Sequence, residues 1–548
     1  MVFPRSILVC AVLAATALPA GVAEATPHWS SPKQVIAPPA DPATQFEAAP
    51  EVHATPAGGL VAFATDGTSP VALSGTIAGG FGAPVKLATT KTNSVSADVG
   101  ADGTAVAAWT DNNQMQVAIA PPGAGFGAPI AIPGTGVNTL DAVVASDGAV
   151  TVAYRTKSPQ GIYEVHAITA PKGGGFGADQ TLDGGPGGVS SISASAGPSG
   201  SVAVTWLRIS GVYRTRVSVR GSGAALFDAP QYLSTSAKAD LSPQVAFDAD
   251  GTVIAAWANP DGAQVAVRPP GVSQFGPPAL LGQPAFALDL VPTPQGSTAL
   301  TLAGAQDIFA GLQSGSGFAI APVGSAKGNQ PPLPQIAVDA SGAPIVVYAD
   351  SASGEIRAVA GGKTTVIGYA KPGTVSATAV ATVGAGKAVA LWHDAQDGIS
   401  AATFGEDAPP ATGPPAKPGP ADKTAPKLKL LSSKRVSVTS KTKTLRLTVS
   451  CNEPCAVGAQ SDMRTTYKAK KRVAPLPYVD YKKAKPRSGR QTLTLKLNAG
   501  ARKDLQRALK AKRGAQVFVR FSVADAAANV ATTRATLTLR AASAKKKT

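Results

Sequence analysis

Short apolar strands recur between Phe63 and Trp392 at a nearly constant interval. In each copy a large hydrophobic residue ends an apolar run such as "VIAAW", and successive large residues lie 44 to 52 positions apart. The eight residues of this column are Phe63, Trp109, Tyr154, Trp206, Trp257, Leu302, Tyr348 and Trp392. In seven copies a glycine stands six positions earlier, three times after aspartate, as in Asp250-Gly251. Asp-Gly favours a tight hairpin turn, so each copy is predicted to hold two antiparallel strands.

Two further strands complete each copy. The text "GFGAPVKL" at 80–87 recurs as "GFGAPIAI" from Gly125 and, with changes, in later copies, and a third segment such as "MQVAIAPP" precedes it. Proline opens the last strand, and proline suits an edge strand because it donates no ladder hydrogen bond. Four strands in about 47 residues are typical of a β-propeller blade. The column count predicts an all-β protein with eight blades, with seven as the alternative because Leu302 marks the weakest copy.

The beginning of the repeat region supplies a strand that its end lacks. "WSSPKQVI" at 29–36 matches the outer strand of a copy, with Trp29 in the aromatic column and Pro32 in the proline column. After the strand that ends at Trp392 the chain offers a third strand near 400–404 and then a proline-rich tract. We therefore expect the N-terminal strand to complete the last blade, which removes an exposed sheet edge.

Residues 28–407 thus resemble secreted bacterial β-propellers of the kelch and sialidase-repeat type. They lack the Asp-box of sialidase repeats and the double glycine of kelch repeats. They also resemble the integrin-type Phe-Gly/Gly-Ala-Pro repeat, whose calcium loop requires several spaced aspartates. Only Asp248 and Asp250 approach that pattern, so a hairpin turn is the preferred interpretation there and no metal site is expected.

A second unit follows a proline-rich linker at 408–426, which we expect to be extended. Alternating strands are predicted over 427–541, in "KLKLL", "RVSVT", "TLRLTVSC", "TLTLKLN", "AQVFVRFSVAD" and "ATTRATLTLRA", with one helix over 501–512. The pattern resembles the immunoglobulin-like or fibronectin-like β-sandwiches appended to secreted bacterial proteins. "CNEPC" is interpreted as a hairpin clipped by a disulfide, and 542–548 as a basic disordered tail.

Charge divides the chain into two unlike parts. From Lys427 onward there are 30 lysines and arginines against five acidic residues, a net charge of +25. Because the whole chain carries +17, residues 1–426 carry −8. The C-terminal unit is therefore expected to attract anionic partners.

The first 25 residues indicate export. A basic Arg5 precedes an apolar run at 7–18, and Ala23 and Ala25 offer a small-residue cleavage site. In an oxidising compartment Cys451 and Cys455 are expected to form a disulfide. A zinc site is the rival interpretation, but all four histidines lie far upstream. The predicted location is extracellular, and association with the cell wall is a further hypothesis.

The segment 467–490 is the densest run of basic residues, and tyrosines lie among them. It is either a polyanion-docking surface or a solvated surface loop. Export argues against nucleic acid as a partner and favours an anionic cell-wall polymer, a glycan or a surface protein. The candidate docking residues are Lys468, Lys470, Lys471, Arg472, Lys482, Lys483, Lys485, Arg487 and Arg490.

No catalytic constellation emerges, and no cofactor is expected. The repeated aromatic residues are interpreted as core rather than as sugar-stacking rings. A sialidase-like enzyme would need several arginines around one carboxylate and a tyrosine beside a glutamate. The chain offers Tyr163 beside Glu164, a His393-Asp394 neighbour pair, and Arg155, Arg208, Arg268 and Arg357 in separate copies.

The sequence favours an exported, non-enzymatic binding or scaffold protein of the bacterial cell envelope. In this hypothesis the propeller presents a ligand face and the cationic unit docks on anionic polymers. A glycan-processing hydrolase is the first alternative, and convergence of the four arginines in one pocket would distinguish it. An inert structural spacer is the second alternative.

Overall fold

The computed structural model describes residues 27–39, 49–89, 92, 94–133, 137, 139–158, 160–234, 236, 238–328, 331–373, 377–396, 398–406, 408–409, 413, 415, 424–467, 470–477, 479, 487–525 and 529–542. For residues 466, 467 and 470–472 the description covers the backbone only. The predicted leader, most of the proline-rich linker and all but the first residue of the predicted tail lie outside the described residues. Among the described residues no helix is both long and apolar enough to cross a membrane.

The described residues between 27 and 409 form eight antiparallel sheets of four or five strands, numbered here in chain order. The first strands of the sheets are β3 (Glu51–Ala54), β8 (Val95–Val99), β12 (Thr139–Val144), β16 (Gly188–Ala196), β20 (Leu241–Phe247), β24 (Ala287–Pro292), β28 (Gln335–Val338) and β32 (Thr378–Thr382). The second strands are β4 (Leu60–Thr65), β9 (Ala105–Asp111), β13 (Val150–Lys157), β17 (Val202–Ser210), β21 (Val253–Ala258), β25 (Thr298–Ala303), β29 (Pro344–Ala349) and β33 (Ala388–His393). A short 3-10 turn at Pro198–Gly200 precedes β17.

The outer half of each sheet follows the same order. The third strands are β5 (Pro70–Thr76), β10 (Gln114–Ala120), β14 (Tyr163–Ala170), β18 (Val212–Arg220), β22 (Gln264–Arg268), β26 (Asp307–Ser314), β30 (Glu355–Ala360) and β34 (Ile399–Gly405). The fourth strands are β6 (Gly80–Phe81) with β7 (Val85–Lys86), β11 (Ile130–Ile132), β15 (Gln180–Gly184), β19 (Gln231–Tyr232), β23 (Ala279–Leu280), β27 (Gly317–Ser325) and β31 (Lys363–Tyr369). The prediction of four strands in each copy of the repeat is confirmed.

The sheets follow one another around a circuit. Each first strand contacts the first strand of the next sheet, and β32 contacts β3. The large residue of every copy lies between neighbouring sheets and is at most 1% exposed, which confirms the core interpretation of that column. The seven column glycines have φ between +65° and +90°, as hairpin turns require. This part of the chain is a β-propeller.

The last sheet takes its outer strands from the N-terminal segment. β1 (His28–Trp29) and β2 (Lys33–Ile36) both pair antiparallel with β34. Trp29 is 7% exposed, and its ring centroid lies 5.2 Å from that of Phe404. The predicted pairing of the 29–36 segment with the last repeat is therefore present.

The C-terminal part contains two sheets that share one core. A three-stranded sheet has the order β35 (Leu428–Leu430), β37 (Thr444–Cys451), β40 (Arg490–Lys496). A five-stranded sheet has the order β36 (Arg435–Val438), β42 (Val530–Ala541), β41 (Ala515–Ala524), β38 (Ala456–Tyr467), β39 (Lys470–Pro475). Residues of both sheets and of helix α1 (Ala499–Lys510) pack in a single hydrophobic cluster. The helix begins two residues before its predicted start, because the Asn498 side chain accepts a hydrogen bond from the Ala501 N–H.

Two expectations about this part are wrong. Cys451 and Cys455 do form a disulfide, but they do not clip a hairpin. β37 and β38 belong to different sheets, so the disulfide ties the connection between the sheets. In addition, a solvated surface loop was one of two interpretations of the segment 467–490, and it is wrong for 470–475, where β39 pairs with the unpredicted strand β38.

Replacing Cys451 with serine and Cys455 with alanine is expected to lower the free energy of unfolding of this part by about 2 kcal/mol. The reason is the loop entropy that the disulfide removes from the unfolded chain. All five tryptophans lie before residue 393. Far-UV circular dichroism should therefore register the loss while tryptophan fluorescence does not; a shift of the fluorescence transition would contradict the assignment.

Candidate functional site

The first strands of the propeller surround two adjoining cavities of about 650 and 720 Å³. Between them the two cavities are lined by residues of all eight first strands. Six polar residues occupy equivalent positions on these strands: Ser96, Asp141, Ser193, Gln244, Asp289 and Gln335. Polar side chains from six of the eight first strands are therefore concentrated around the centre of the propeller, and the two cavities together are called the channel here.

Carboxylates on the first strands join neighbouring sheets. Glu51 Oε2 accepts the Ala97 N–H at 2.7 Å, and Asp98 Oδ2 accepts the Val144 N–H at 2.8 Å. Asp141 Oδ2 and Asp289 Oδ2 accept the N–H groups of Ala194 and Ile336 at 2.7 and 2.9 Å. A first strand is a sheet edge whose N–H groups lack a ladder partner, and each carboxylate satisfies one on the next sheet. These acids serve the assembly of the propeller.

His53 lies among three of the channel carboxylates. Its Nδ1 is 3.6 Å from Asp98 Oδ1, and its Nε2 is 3.8 Å from Glu51 Oε2. Burial disfavours the charged imidazole, but the negative charges of Glu51, Asp98 and Asp141 outweigh burial and raise the pKa of His53. No group of three metal-ligating side chains with metal-binding geometry occurs among the described residues.

Burial also raises the pKa of two channel carboxyls, that of Asp141 to about 7 and that of Asp289 to about 6. A raised carboxyl pKa means that the folded state holds the proton more tightly than the unfolded state. Stability then falls as the pH rises from about 4 through the folded pKa. The raised pKa of His53 acts in the same direction, because the stability it contributes is lost as the pH rises through the folded value.

The propeller is accordingly expected to melt at a higher temperature at pH 5 than at pH 8. Asp141→Asn should flatten this dependence, because the amide keeps a hydrogen-bond acceptor for the Ala194 N–H without an ionisable group. Thermal unfolding followed by tryptophan fluorescence measures the effect. Exposed Asp307→Asn is the control and should leave the slope unchanged; an unchanged slope in Asp141→Asn would refute the assignment.

The four arginines of the hydrolase alternative do not converge. Arg155 donates to the Val189 carbonyl, and Arg268 Nη1 binds Asp228 Oδ2 at 2.5 Å. Arg357 binds Glu355 and Asp350 within its own sheet, at 2.7 and 3.2 Å. Arg208 is 3% exposed and donates to the carbonyls of Tyr163 and Pro186. Each guanidinium has a separate local role.

The other candidate catalytic groups are likewise engaged elsewhere. The Tyr163 ring lies beneath Arg155, whose guanidinium carbon is 5.0 Å from the ring centroid. Glu164 binds His166 at 3.3 Å. Asp394 is 5% exposed and accepts hydrogen bonds from Gln34 Nε2, Ser400 Oγ and the Gly398 N–H. It holds the N-terminal strand and a turn in place.

The structure places five of the nine predicted docking residues. Lys470, Lys471 and Arg472 lie on β39, the edge strand of the five-stranded sheet. Arg487 pairs with Cys455 through both backbone hydrogen bonds, and Arg490 opens β40 opposite Ser450. The remaining four lie outside the described residues: Lys468, Lys482, Lys483 and Lys485.

The five-stranded sheet carries basic residues that the sequence reasoning did not single out. Its solvent face, called the arginine face here, is defined by five exposed arginines: Arg435, Arg464, Arg520, Arg534 and Arg540. These arginines alternate with inward-facing apolar residues, as in "FVRFSV" and "TRATLTLR", and this alternation was a visible signal. Arg464 binds Asp462 at 2.9 Å and lies 4.3 Å over the Phe518 ring. Among the described contacts the other four arginines form no ion pair.

The three-stranded sheet is also basic on its solvent face. Lys429, Arg446, Arg490 and Lys496 are exposed there, and threonines occupy the positions between them. None of its three strands contains an acidic residue. Both sheets of the C-terminal part therefore present positive charge to solvent.

No protein-family model matches the chain, and no curated protein matches it in sequence. Solved structures match it at low identity. The Dos1 propeller is 11% identical over 70% of this chain and 97% of its own, with a TM-score of 0.43. The β-propeller domain of the Trilobed protease from Pyrococcus furiosus is 9% identical over 59% of this chain and 98% of its own, at 0.37. A Hadza microbial sialidase is 10% identical over 65% of this chain and 64% of its own, at 0.33.

Proposed function

We propose that the protein is an exported, non-enzymatic binding protein of the bacterial cell envelope. An eight-bladed propeller, closed by the N-terminal strand, presents a ligand face. A cationic, immunoglobulin-like β-sandwich holds the protein on anionic envelope polymers. The observation that carries this proposal is the positive charge on the solvent faces of both C-terminal sheets.

The charge of these faces is available to a partner. Exposed basic residues occupy solvent-facing positions on the strands of both sheets, and the described residues supply few carboxylates to neutralise them. Exposed ion pairs are worth little in water, whereas many cations that face one polyanion act together and release bound counterions. A polymeric anion is therefore the kind of partner that such surfaces favour.

Export is supported by the leader pattern and by the disulfide. Disulfides persist mainly in oxidising compartments, and Cys451 and Cys455 are the two cysteines that follow the leader. Envelopes of bacteria expose anionic polymers outside the cytoplasm, so location and charge agree.

Among the described residues the candidate catalytic groups of the hydrolase alternative do not come together in one site. Its arginines bind separate local partners, and Tyr163 and Glu164 each contact other side chains. The inert-spacer alternative does not account for the four exposed arginines of the arginine face that form no ion pair with a described residue.

The proposal is tested by co-sedimentation of the full chain with purified, protein-free bacterial envelopes over a salt series. Retention at low salt and release by about 0.5 M salt are expected, because salt screens exposed charges. A fourfold variant, with Arg446, Lys496, Arg520 and Arg534 all changed to glutamine, should lose retention.

The matched control removes the same charge from the propeller. It changes four exposed lysines to glutamine: Lys33, Lys238, Lys327 and Lys363. This variant should be retained like the original chain. Equal losses in the two variants, or no retention of the unmodified chain, would contradict the proposal.

A further inference from the structure

The arginine face is ordered by strand register. Across β38, β41 and β42, Gln460, Arg520 and Arg534 form one row. Two rows along, Arg464, Gln516, Thr538 and Arg435 lie side by side across four strands. Neighbouring strands are about 4.8 Å apart and alternate residues on a strand about 6.8 Å apart. The arginines thus stand at fixed register positions of the sheet, with neutral donors beside them in both rows, and the row between the two holds Asp462, Phe518 and Thr536.

Arg520 and Arg534 are direct cross-strand neighbours. Like charges placed opposite each other destabilise a sheet. Both are exposed, and neither forms an ion pair with a described residue. A bound anion between the two would turn this repulsion into attraction. The pair therefore marks the centre of a binding surface.

The basic residues of this face are of one type. From Lys427 onward the chain has 18 lysines and 12 arginines, yet among the described side chains on the solvent face of this sheet every basic residue is an arginine. Arginine presents a planar fork that binds the two oxygens of an oxyanion in a bidentate manner, which lysine does not. The ligand is accordingly expected to offer paired oxygens at each charge.

We infer that the arginine face binds a linear phosphodiester polymer with a hydroxyl-rich, non-aromatic repeat, an inference that rests on the proposed function. Phosphodiester anions lie within the polymer backbone, so consecutive charges approach a flat surface without a pocket for each unit. The neutral donors between the arginines, Gln460, Gln516, Thr536 and Thr538, match the hydroxyl groups of such a repeat.

Single-stranded nucleic acid is disfavoured by the aromatic content of the face. Proteins that bind single strands stack bases on free aromatic rings. Among the described side chains of this face Phe518 is the aromatic one, and the Arg464 guanidinium carbon lies 4.3 Å from its ring centroid. No base has access to that ring face.

The test measures affinities of the full chain for three probes: an oligomer of poly(glycerol phosphate), polygalacturonate and an oligothymidylate of equal charge. Arg520→Gln with Arg534→Gln should weaken binding of poly(glycerol phosphate) by about tenfold or more, since two charge-assisted bidentate contacts are lost. Arg446→Gln with Lys496→Gln, which removes the same charge from the other sheet, should change it by less than about threefold. Arg520→Lys with Arg534→Lys keeps the charge and should still weaken binding, because the fork is lost.

Several results would overturn the inference. Equal losses in the two glutamine variants would show diffuse attraction, and full binding by the lysine variant would exclude bidentate recognition. Tighter binding of polygalacturonate or of oligothymidylate would assign the face to carboxylates or to nucleic acid. In each of these cases the unmodified chain still binds a polyanion and the proposed function stands, whereas no binding of any probe refutes both. Melting curves confirm that each variant is folded.

Discussion

Asp183→Ala is expected to lower the free energy of unfolding of the propeller by about 3–5 kcal/mol. Asp183 is 6% exposed and accepts hydrogen bonds from Arg216 Nη1 at 2.6 Å and from Trp206 Nε1 at 2.9 Å. Arg208 Nη1 lies 3.8 Å from the same carboxylate. Removing the only acid of this buried group leaves uncompensated charge in the interior, which is far costlier than losing a surface ion pair.

Denaturant unfolding followed by tryptophan fluorescence measures this loss directly, because Trp206 itself belongs to the group. The control is Lys86→Ala, which removes an ion pair with Asp66 in which the lysine side chain is 56% exposed. An exposed pair of this kind contributes about 0–1 kcal/mol. Losses of similar size in the two variants would contradict the structural role assigned to Asp183.

Deleting residues 28–37 is expected to destabilise the whole propeller by at least about 3–5 kcal/mol. That figure is the usual cost of removing one buried tryptophan, here Trp29. The deletion also removes Ile36, 3% exposed, and leaves the β34 edge open. An open edge invites pairing with another chain, so aggregation on heating should increase.

Differential scanning calorimetry of the full chain with and without the segment gives the size of this effect. Lys33→Ala, which truncates an exposed side chain of β2, should leave the melting temperature unchanged. A deletion variant that melts like the original chain would show that closure through β34 contributes nothing.

The repeat was predictable because each copy must bury one large residue and turn once. Trp257 and Gly251 therefore stand at a fixed spacing, and both behave in the structure as that spacing requires. The pairing of Trp29 with the last sheet followed from the same logic, since an outer strand without inner strands must find them elsewhere.

Other features were hidden from sequence reasoning for physical reasons. The carboxylates of Glu51 and Asp98 bond to the next sheet, and such contacts depend on how sheets are placed rather than on local pattern. β38 escaped because its polar residues alternate with small ones such as Gly458 and Ala459, which give little strand signal. The arginine face could not be predicted because its arginines become neighbours only through the strand order of the sheet, which joins segments far apart in the sequence.

Arginine footprinting tests the central claim most directly, namely that the arginine face of the five-stranded sheet carries the polyanion site. The full chain is treated with phenylglyoxal, an arginine-specific reagent, with and without poly(glycerol phosphate), and the modification of each arginine is read by mass spectrometry. The account predicts strong protection of Arg520 and Arg534, weaker protection of Arg435 and Arg540, and little change at exposed Arg446. Uniform protection of all exposed arginines, or protection confined to the propeller, would contradict it.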